Sequence, residues 1–328
     1  MQHADLRVRR RLKLRDLDTL VAVSQYGSMA KAAAHLSVSQ PAISKAIVEM
    51  EDTLGVRLLD RTARGVEPNL YGRTLLKWAN IVFDDVSQGI KELKFLADPT
   101  RGELRISATE PTVAGLLPAA LELLHSRYPA ICVHIRQAAS ARERSRELRE
   151  RNFDLAIGGI VEPIDDDIHA EILFYDPTFV VAGLKNRWSQ RRKIRLAELT
   201  DEPWILPPPD SVLGPLIVEA FRKNGLDVPA ANVVTLAIQL YSLLSASGPY
   251  LAICPGSVLH FSGTRLALKA LPVDLGISPW PVGITTLKNR TISPVAQLFI
   301  ECVRDAAKPL AKAGWNKNER RNLDLSRR

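Results

Sequence analysis

Four side chains near residue 40, Ser39, Gln40, Ser44 and Lys45, carry hydroxyl, amide and ammonium groups that could exchange hydrogen bonds with nucleic-acid base edges and phosphates. They sit at the start of the second of two helix-forming runs in GSMAKAAAHLSVSQPAISKAIVEMEDTLG, with SVS as the turn between them. Ser28 is placed to cap the first helix, which ends near Leu36, and Ser39 the second. Pro41 is tolerated in a first turn, where an amide has no intrahelical acceptor. Ile43, Ile47, Met50 and Leu54 share one face at helical spacing, so that face packs and the N-terminal end stays free. A pair of this kind can lay its second helix in the major groove of DNA. The same spacing also fits an ordinary helical hairpin with solvated polar residues.

The next stretch, GVRLLDRTARGVEPNLYG, reads as two short strands around a turn, with Arg57, Arg61 and Arg64 on the way up and Pro68 closing it. A winged helix-turn-helix needs that hairpin. Arg61 and Arg64 could grip phosphates or enter a minor groove; the surface alternative is pairing with Asp60 or Glu67.

A second candidate set depends on the topology downstream. Pro99 and Gly102 in ADPTRGELRIS break the preceding helix and mark the main boundary. Strand candidates then alternate with amphipathic helices: LRISA, TVAGLLPAALELLHSRY, ICVHIRQ, RERSRELRER and FDLAIGG. That order predicts βαβ units and a parallel sheet. The alternation restarts after Asp176 with FVVAG, PLIVEAFRKNG, AIQLYSLLSAS and YLAICPG, as a second lobe of the same kind, and PVGITTL and a helix from about Ser293 to Ala311 end the folded part.

Ligands of such folds bind beyond the carboxyl ends of parallel strands, where helix N-termini offer free amides. Thr109 and Glu110 follow LRISA, Ser140 follows ICVHIRQ, Asp210 and Ser211 precede a helix near Leu216, and Thr235 follows NVV. Each could instead be a plain helix cap or, for Glu110, a helix-dipole partner. Glu110 and Asp210 are acceptors suited to the hydroxyls of a neutral sugar.

Between the two parts, residues 71–98 read as one long proline-free helix up to Ala97. Leu75, Ala79, Val82, Val86 and Leu93 form a stripe suited to a dimer interface or to packing on the helix's own domain. A dimer would present two recognition helices to half-sites about 34 Å apart.

Composition sets the bounds. The chain has 328 residues, 46% hydrophobic and 24% charged, the balance of a soluble globular protein of two or three domains. A net charge of +8 suits a polyanionic partner, though many proteins with this balance bind none. No apolar run of about 20 residues and no signal-peptide pattern occur, so the expectation is a cytoplasmic protein with no membrane partner. Cys132, Cys254 and Cys302 lack CxxC spacing and read as reduced core thiols. No GxSxG, HExxH, P-loop or CxxC motif is present and the six histidines are scattered, so neither an enzyme nor a metal or cofactor site is expected. A solute-binding protein or a non-specific DNA-binding protein remains the alternative class.

LDTLVAVSQYGSMAKAAAHLSVSQPAISKAIVEMEDTLGVRLLDRTARGVEPNLYG closely resembles the N-terminal pattern of LysR-type transcriptional regulators. Departures are Leu59, where the family usually has an aromatic, and PNLYG, where a threonine commonly precedes the glycine-containing turn. ELRISATEPTVAGLLPAAL, RERNFDLAIGG and LTDEPWILPPPDS look like the family's effector-binding region, and the likeness runs from Leu14 to Lys312. SATEPTVAGLLP and PWPVGITTLKNRTISPVAQLFIE look most like the subgroup called galactose-binding-protein regulators.

The basic residues of 1–15 and the polar run of 313–328 read as flexible tails. The resemblance implies an all-α winged helix-turn-helix at 16–70, a linker and dimerisation helix at 71–98, and an α/β two-lobed, periplasmic-binding-protein-like domain at 101–312. The lobes would span about 101–174 with 280–312, and about 175–279. It further implies a bacterial regulator, dimeric or tetrameric, that binds a double-stranded operator and contacts RNA polymerase if it activates. Ser28, Ser39, Gln40, Pro41, Ser44, Lys45, Arg61 and Arg64 would face DNA, and Thr109, Glu110, Ser140, Asp210, Ser211 and Thr235 a small effector.

Overall fold

The computed structural model describes residues 11–62, 65–211 and 213–312. Arg64, most of the basic segment 1–15 and all of 313–328 lie outside the described residues. The chain divides after Gly89 into two compact units.

In the first unit, α1 (Leu14–Tyr26), α2 (Met29–His35) and α3 (Gln40–Leu54) are followed by the paired strands β1 (Leu59–Thr62) and β2 (Gly65–Pro68) and by α4 (Leu70–Ala97), whose residues from Ile90 on belong to the second unit. Leu20, Val23, Ile43, Ile47, Met50 and Leu58 make its core. Asp16 accepts the Lys13 amide at 2.9 Å to open α1, and Gly27, at φ +60°, ends it. The Gly27 carbonyl then accepts the Val66 amide at 3.0 Å, which ties the wing to the turn before α2. From α3, the Glu51 carboxylate accepts the Leu58 amide at 2.7 Å.

Asn69 closes the wing. Its Nδ2 donates to the Arg57 carbonyl at 3.0 Å, and its Oδ1 accepts the Gly72 amide at 3.0 Å. Gly72 is buried where α4 crosses the hairpin: a Cβ there would overlap the Leu58 carbonyl oxygen and stand 3.1 Å from Pro68 Cβ. Gly72→Ala is therefore expected to lower stability by about 1–3 kcal/mol, as overpacking against backbone does. Thermal unfolding of the variant beside the parent checks this.

The second unit holds two five-stranded sheets. In the first the order is β4 (Ala130–Gln137), β3 (Arg101–Ala108), β5 (Leu155–Gly159), β12 (Trp280–Leu287) and β6 (Ile168–Asp176). In the second it is β11 (Leu268–Ala270), β7 (Thr178–Gly183), β10 (Leu251–Pro255), β8 (Trp204–Leu206) and β9 (Ala231–Val234). Helices α5 (Glu110–Ala114), α6 (Leu116–Arg127), α7 (Ala141–Arg149) and α11 (Pro294–Lys312) accompany the first sheet; α8 (Leu213–Lys223), α9 (Ile238–Ser247) and α10 (Gly256–Ser262) belong to the second stretch.

The expectation of parallel sheets needs correction. β3, β4 and β5 pair parallel, as do β8, β9 and β10, but β12 runs antiparallel to β5 and β6, and β7 antiparallel to β10 and β11. The reason is connectivity: the chain enters the second lobe straight from β6 into β7 across Pro177, and it returns only to lay β12 into the first sheet. The largest apolar cluster against the first sheet centres on Leu104, Ile106, Leu117, Leu124 and Phe299; in the largest against the second, Trp204 packs edge-on to Phe221 at 5.8 Å.

The reading of all three cysteines as core thiols also needs correction. Cys254 and Cys302 are buried, whereas Cys132 is exposed. It lies on β4, the sheet's edge strand, beside the buried Ile131, so alternation turns it outward.

Candidate functional site

The first unit offers a polar helix end. Ser28 Oγ accepts the Lys31 amide at 3.5 Å and Ser39 Oγ the Ala42 amide at 3.4 Å, so both serines act as caps. Gln40, Pro41 and Lys45 are exposed and Ser44 is half-buried. The Lys45 side chain, 77% exposed, stands 3.7 Å from Glu49, a pairing too weak to hold it from a phosphate. Arg61, opposite Val66 in the wing, is exposed and has no ion pair among the described residues, with neither Asp60 nor Glu67 engaging it. Val38, exposed in the turn before α3, was not foreseen; an apolar side chain there can contact thymine methyls.

On α4, the expected stripe splits. Leu75 packs into the first unit's own core and Ala79 is fully buried, so neither is free to meet a partner. Val82 is half-buried, while Val86 and Leu93 are exposed. Trp78, 58% exposed, and Leu96, 70% exposed, extend the free face. The sequence stripe followed alternating spacings through Leu75 and so missed Trp78, which lies on the same face as Val82, Val86 and Leu93.

In the second unit the strand ends surround a cavity of about 660 Å³. Thr109, Glu110, Ser140, Ser211 and Thr235 line it; Asp210 does not, and is exposed. The hydroxyls double as local caps. Ser140 Oγ accepts the Glu143 amide at 3.1 Å, Ser211 Oγ the Gly214 amide at 3.1 Å, and Thr235 Oγ1 the Ala237 amide at 3.0 Å. Thr109 Oγ1 is 2.9 Å from Thr112 Oγ1. Glu110 spans the lobes: one oxygen accepts the Ile238 amide at the start of α9 at 3.2 Å and the other accepts Gln137 Nε2.

Sequence reasoning did not foresee four further lining groups, Arg144, Asp176, Tyr241 and Ser257. A signal for Arg144 was present. Leu148 is the lone leucine facing inward from RERSRELRER, so the residue four before it must face inward too. Arg144 and Glu147 are indeed 5% and 1% exposed.

Asp176 ends β6 at the crossing between lobes and is 1% exposed. It accepts the Ser257 amide at 2.8 Å and the Ser257 hydroxyl at 2.5 Å. Burial nevertheless outweighs these hydrogen bonds and pushes the carboxyl up to about 7. A carboxyl whose folded pKa is raised stabilises the fold most while protonated, below its unfolded pKa near 4, and that contribution is lost as pH rises through 7. Over that window the loss is on the order of 4 kcal/mol. Asp176→Asn should therefore flatten the pH dependence and unfold at a higher temperature than the parent at pH 8, with little difference at pH 4. Melting curves of both chains across pH 4–8 check it.

Two family models match this chain. The model described as bacterial regulatory helix-turn-helix protein, lysR family, matches residues 14–73, and the LysR substrate binding domain model matches residues 97–308. The chain belongs to the LysR family. It is a DNA-binding transcriptional regulator with an effector-binding domain. Among curated relatives, the HTH-type transcriptional regulator GbpR of Azospirillum brasilense is 28% identical over 300 residues, covering 90% of this chain and 87% of the relative. That similarity fits the subgroup resemblance. PcaQ of Agrobacterium fabrum is 27% identical over 302 residues, covering 92% and 96%. Among solved structures, full-length CbnR complexed with its target DNA shares the LysR fold with a TM-score of 0.61 at 22% identity, covering 90% of this chain and 100% of that one. Among the described residues no helix is long and apolar enough to cross a membrane.

Proposed function

We propose that α3 reads operator bases through Gln40 and Ser44, with Lys45 and Arg61 on flanking phosphates, and that a small molecule in the cavity modulates this binding. The observation that carries the DNA half is the exposed polar start of α3, together with a wing arginine that no carboxylate among the described residues engages. Trp78, Val86, Leu93 and Leu96 supply the face on which two copies pair, so that two recognition helices meet a dyad-symmetric site. The effector half rests on Glu110, whose carboxylate holds the α9 amide across the cavity. A ligand that replaces or reinforces that contact favours one closure of the lobes over another, and linkage passes the preference to DNA affinity and to contacts with RNA polymerase.

The sugar reading of the effector is supported by the lining hydroxyl groups and weakened by two placements. Asp210 stands away from the cavity, and both Glu110 oxygens are engaged. Competition of a labelled promoter fragment with random duplex, at near-physiological salt, tests the specific-regulator reading: specific binding is expected to exceed non-specific by about a thousandfold or more. Equal competition by random duplex contradicts it.

A further inference from the structure

Arg144 is a buried cation for which the described residues supply no anion. The residue is 5% exposed and lines the cavity. Its Nη2 donates to the Gly159 carbonyl at 2.5 Å, and no carboxylate lies within ion-pair distance among the described residues. The Glu143 carboxylate, adjacent in sequence, acts on it only through space and is itself occupied by the Ala139 amide at 2.8 Å. Two other buried charges of this unit, Arg290 and Glu147, do have partners of opposite sign. Arg290 meets Asp154 at 3.0 Å and Glu147 pairs with Arg136. Desolvation holds the Arg144 pKa down to about 10, so the charge persists at neutral pH at a cost that one carbonyl contact does not offset.

The neighbourhood suits an anion. A Cβ on Gly158 would stand 2.6 Å from Thr109 Cγ2, 3.0 Å from Thr109 Oγ1 and 3.2 Å from Arg144 Cζ, so glycine there lets the threonine hydroxyl and the guanidinium pack side by side at the cavity wall. Ser140, capping the helix that carries Arg144, adds a hydroxyl at a helix N-terminus. The carboxyls in the same lining are already engaged: Glu110 by Ile238 and Gln137, Asp176 by Ser257.

We propose that the effector carries an anionic group, a carboxylate or a phosphate, which seats on Arg144 beside Thr109 and Ser140. This deepens the cavity reading above and rests on it. A polyhydroxylated acid or a sugar phosphate satisfies both the guanidinium and the surrounding hydroxyls.

The test is calorimetry and thermal shift on the full chain. Probes are gluconate, glucose 6-phosphate, acetate and inorganic phosphate, with glucose as the neutral counterpart, against the parent, Arg144→Met and Arg144→Lys. Circular dichroism checks the fold of each variant. Anion-dependent stabilisation is expected in the parent, weakened at least about thirtyfold in Arg144→Met and partly kept in Arg144→Lys, which retains the charge without the bidentate fork. Anion binding that Arg144→Met leaves intact overturns the assignment. So does binding by glucose alone, with the cavity reading left standing; no binding by any probe overturns both. Should Arg144→Met not fold, the anion response of Arg144→Lys relative to the parent decides, and an unchanged response overturns the proposal.

Discussion

A chain carrying Gln40→Ala together with Lys45→Ala is expected to bind its operator on the order of a hundredfold more weakly, with its melting temperature unchanged. Each lost base contact costs about 1–3 kcal/mol in discrimination, and loss of a phosphate contact lowers the salt slope by about one. Both side chains are exposed, and neither contributes to the core of Ile43, Ile47 and Met50 behind them. The two single variants should differ in kind. Gln40→Ala should relax preference at particular base pairs in a footprint or selection, whereas Lys45→Ala should weaken all sequences together and leave the motif alone. Unchanged footprints for both would remove α3 from the role given to it.

Trp78→Glu combined with Leu93→Glu is expected to turn the oligomer into a monomer at micromolar concentration by light scattering. Operator affinity should fall by about a hundred- to a thousandfold, because a second half-site is then no longer bound at high effective concentration. The two residues are 58% and 68% exposed, far more than a fully packed helix would leave, and they flank Val82 and Val86 on one face of α4. Leu75→Glu provides the contrast. Its side chain packs in the first unit's core, so that change should lower stability before it alters assembly. A parent chain that is already monomeric would refute the interface.

What could be read from the residues follows from how local each signal is. Caps and periodicity around Ser28, Ser39, Ile43 and Ile47 are set within one helical turn, and the observed helices Met29–His35 and Gln40–Leu54 carry those caps. The positions after β3, β4 and β9 were legible for the same reason: a strand's end and the next helix's start are adjacent in sequence. Asp210 was misplaced because a run of prolines, Pro207 to Pro209, sets where its loop leaves the strand, and Ser211, not its neighbour, turns inward. Asp176 and Ser257, 81 residues apart, meet through sheet topology that alternation cannot specify. The antiparallel course of β7 and β12 was hidden for the same reason, since a strand's own residues do not encode which neighbour it will join. Arg144 shows a different failure. A helix rich in Arg and Glu looks wholly solvated unless its single leucine is used to orient it.

The most direct test of the central claim, sequence-specific DNA reading by α3, is a selection of genomic fragments by the purified chain at a stated near-physiological salt, repeated with Gln40→Ala. The account predicts a sharp dyad-symmetric motif for the parent and an altered base preference within the half-site for the variant. Enrichment without any motif, rising and falling only with salt, would mean that the basic charge of the chain alone accounts for its DNA binding, and would contradict the account.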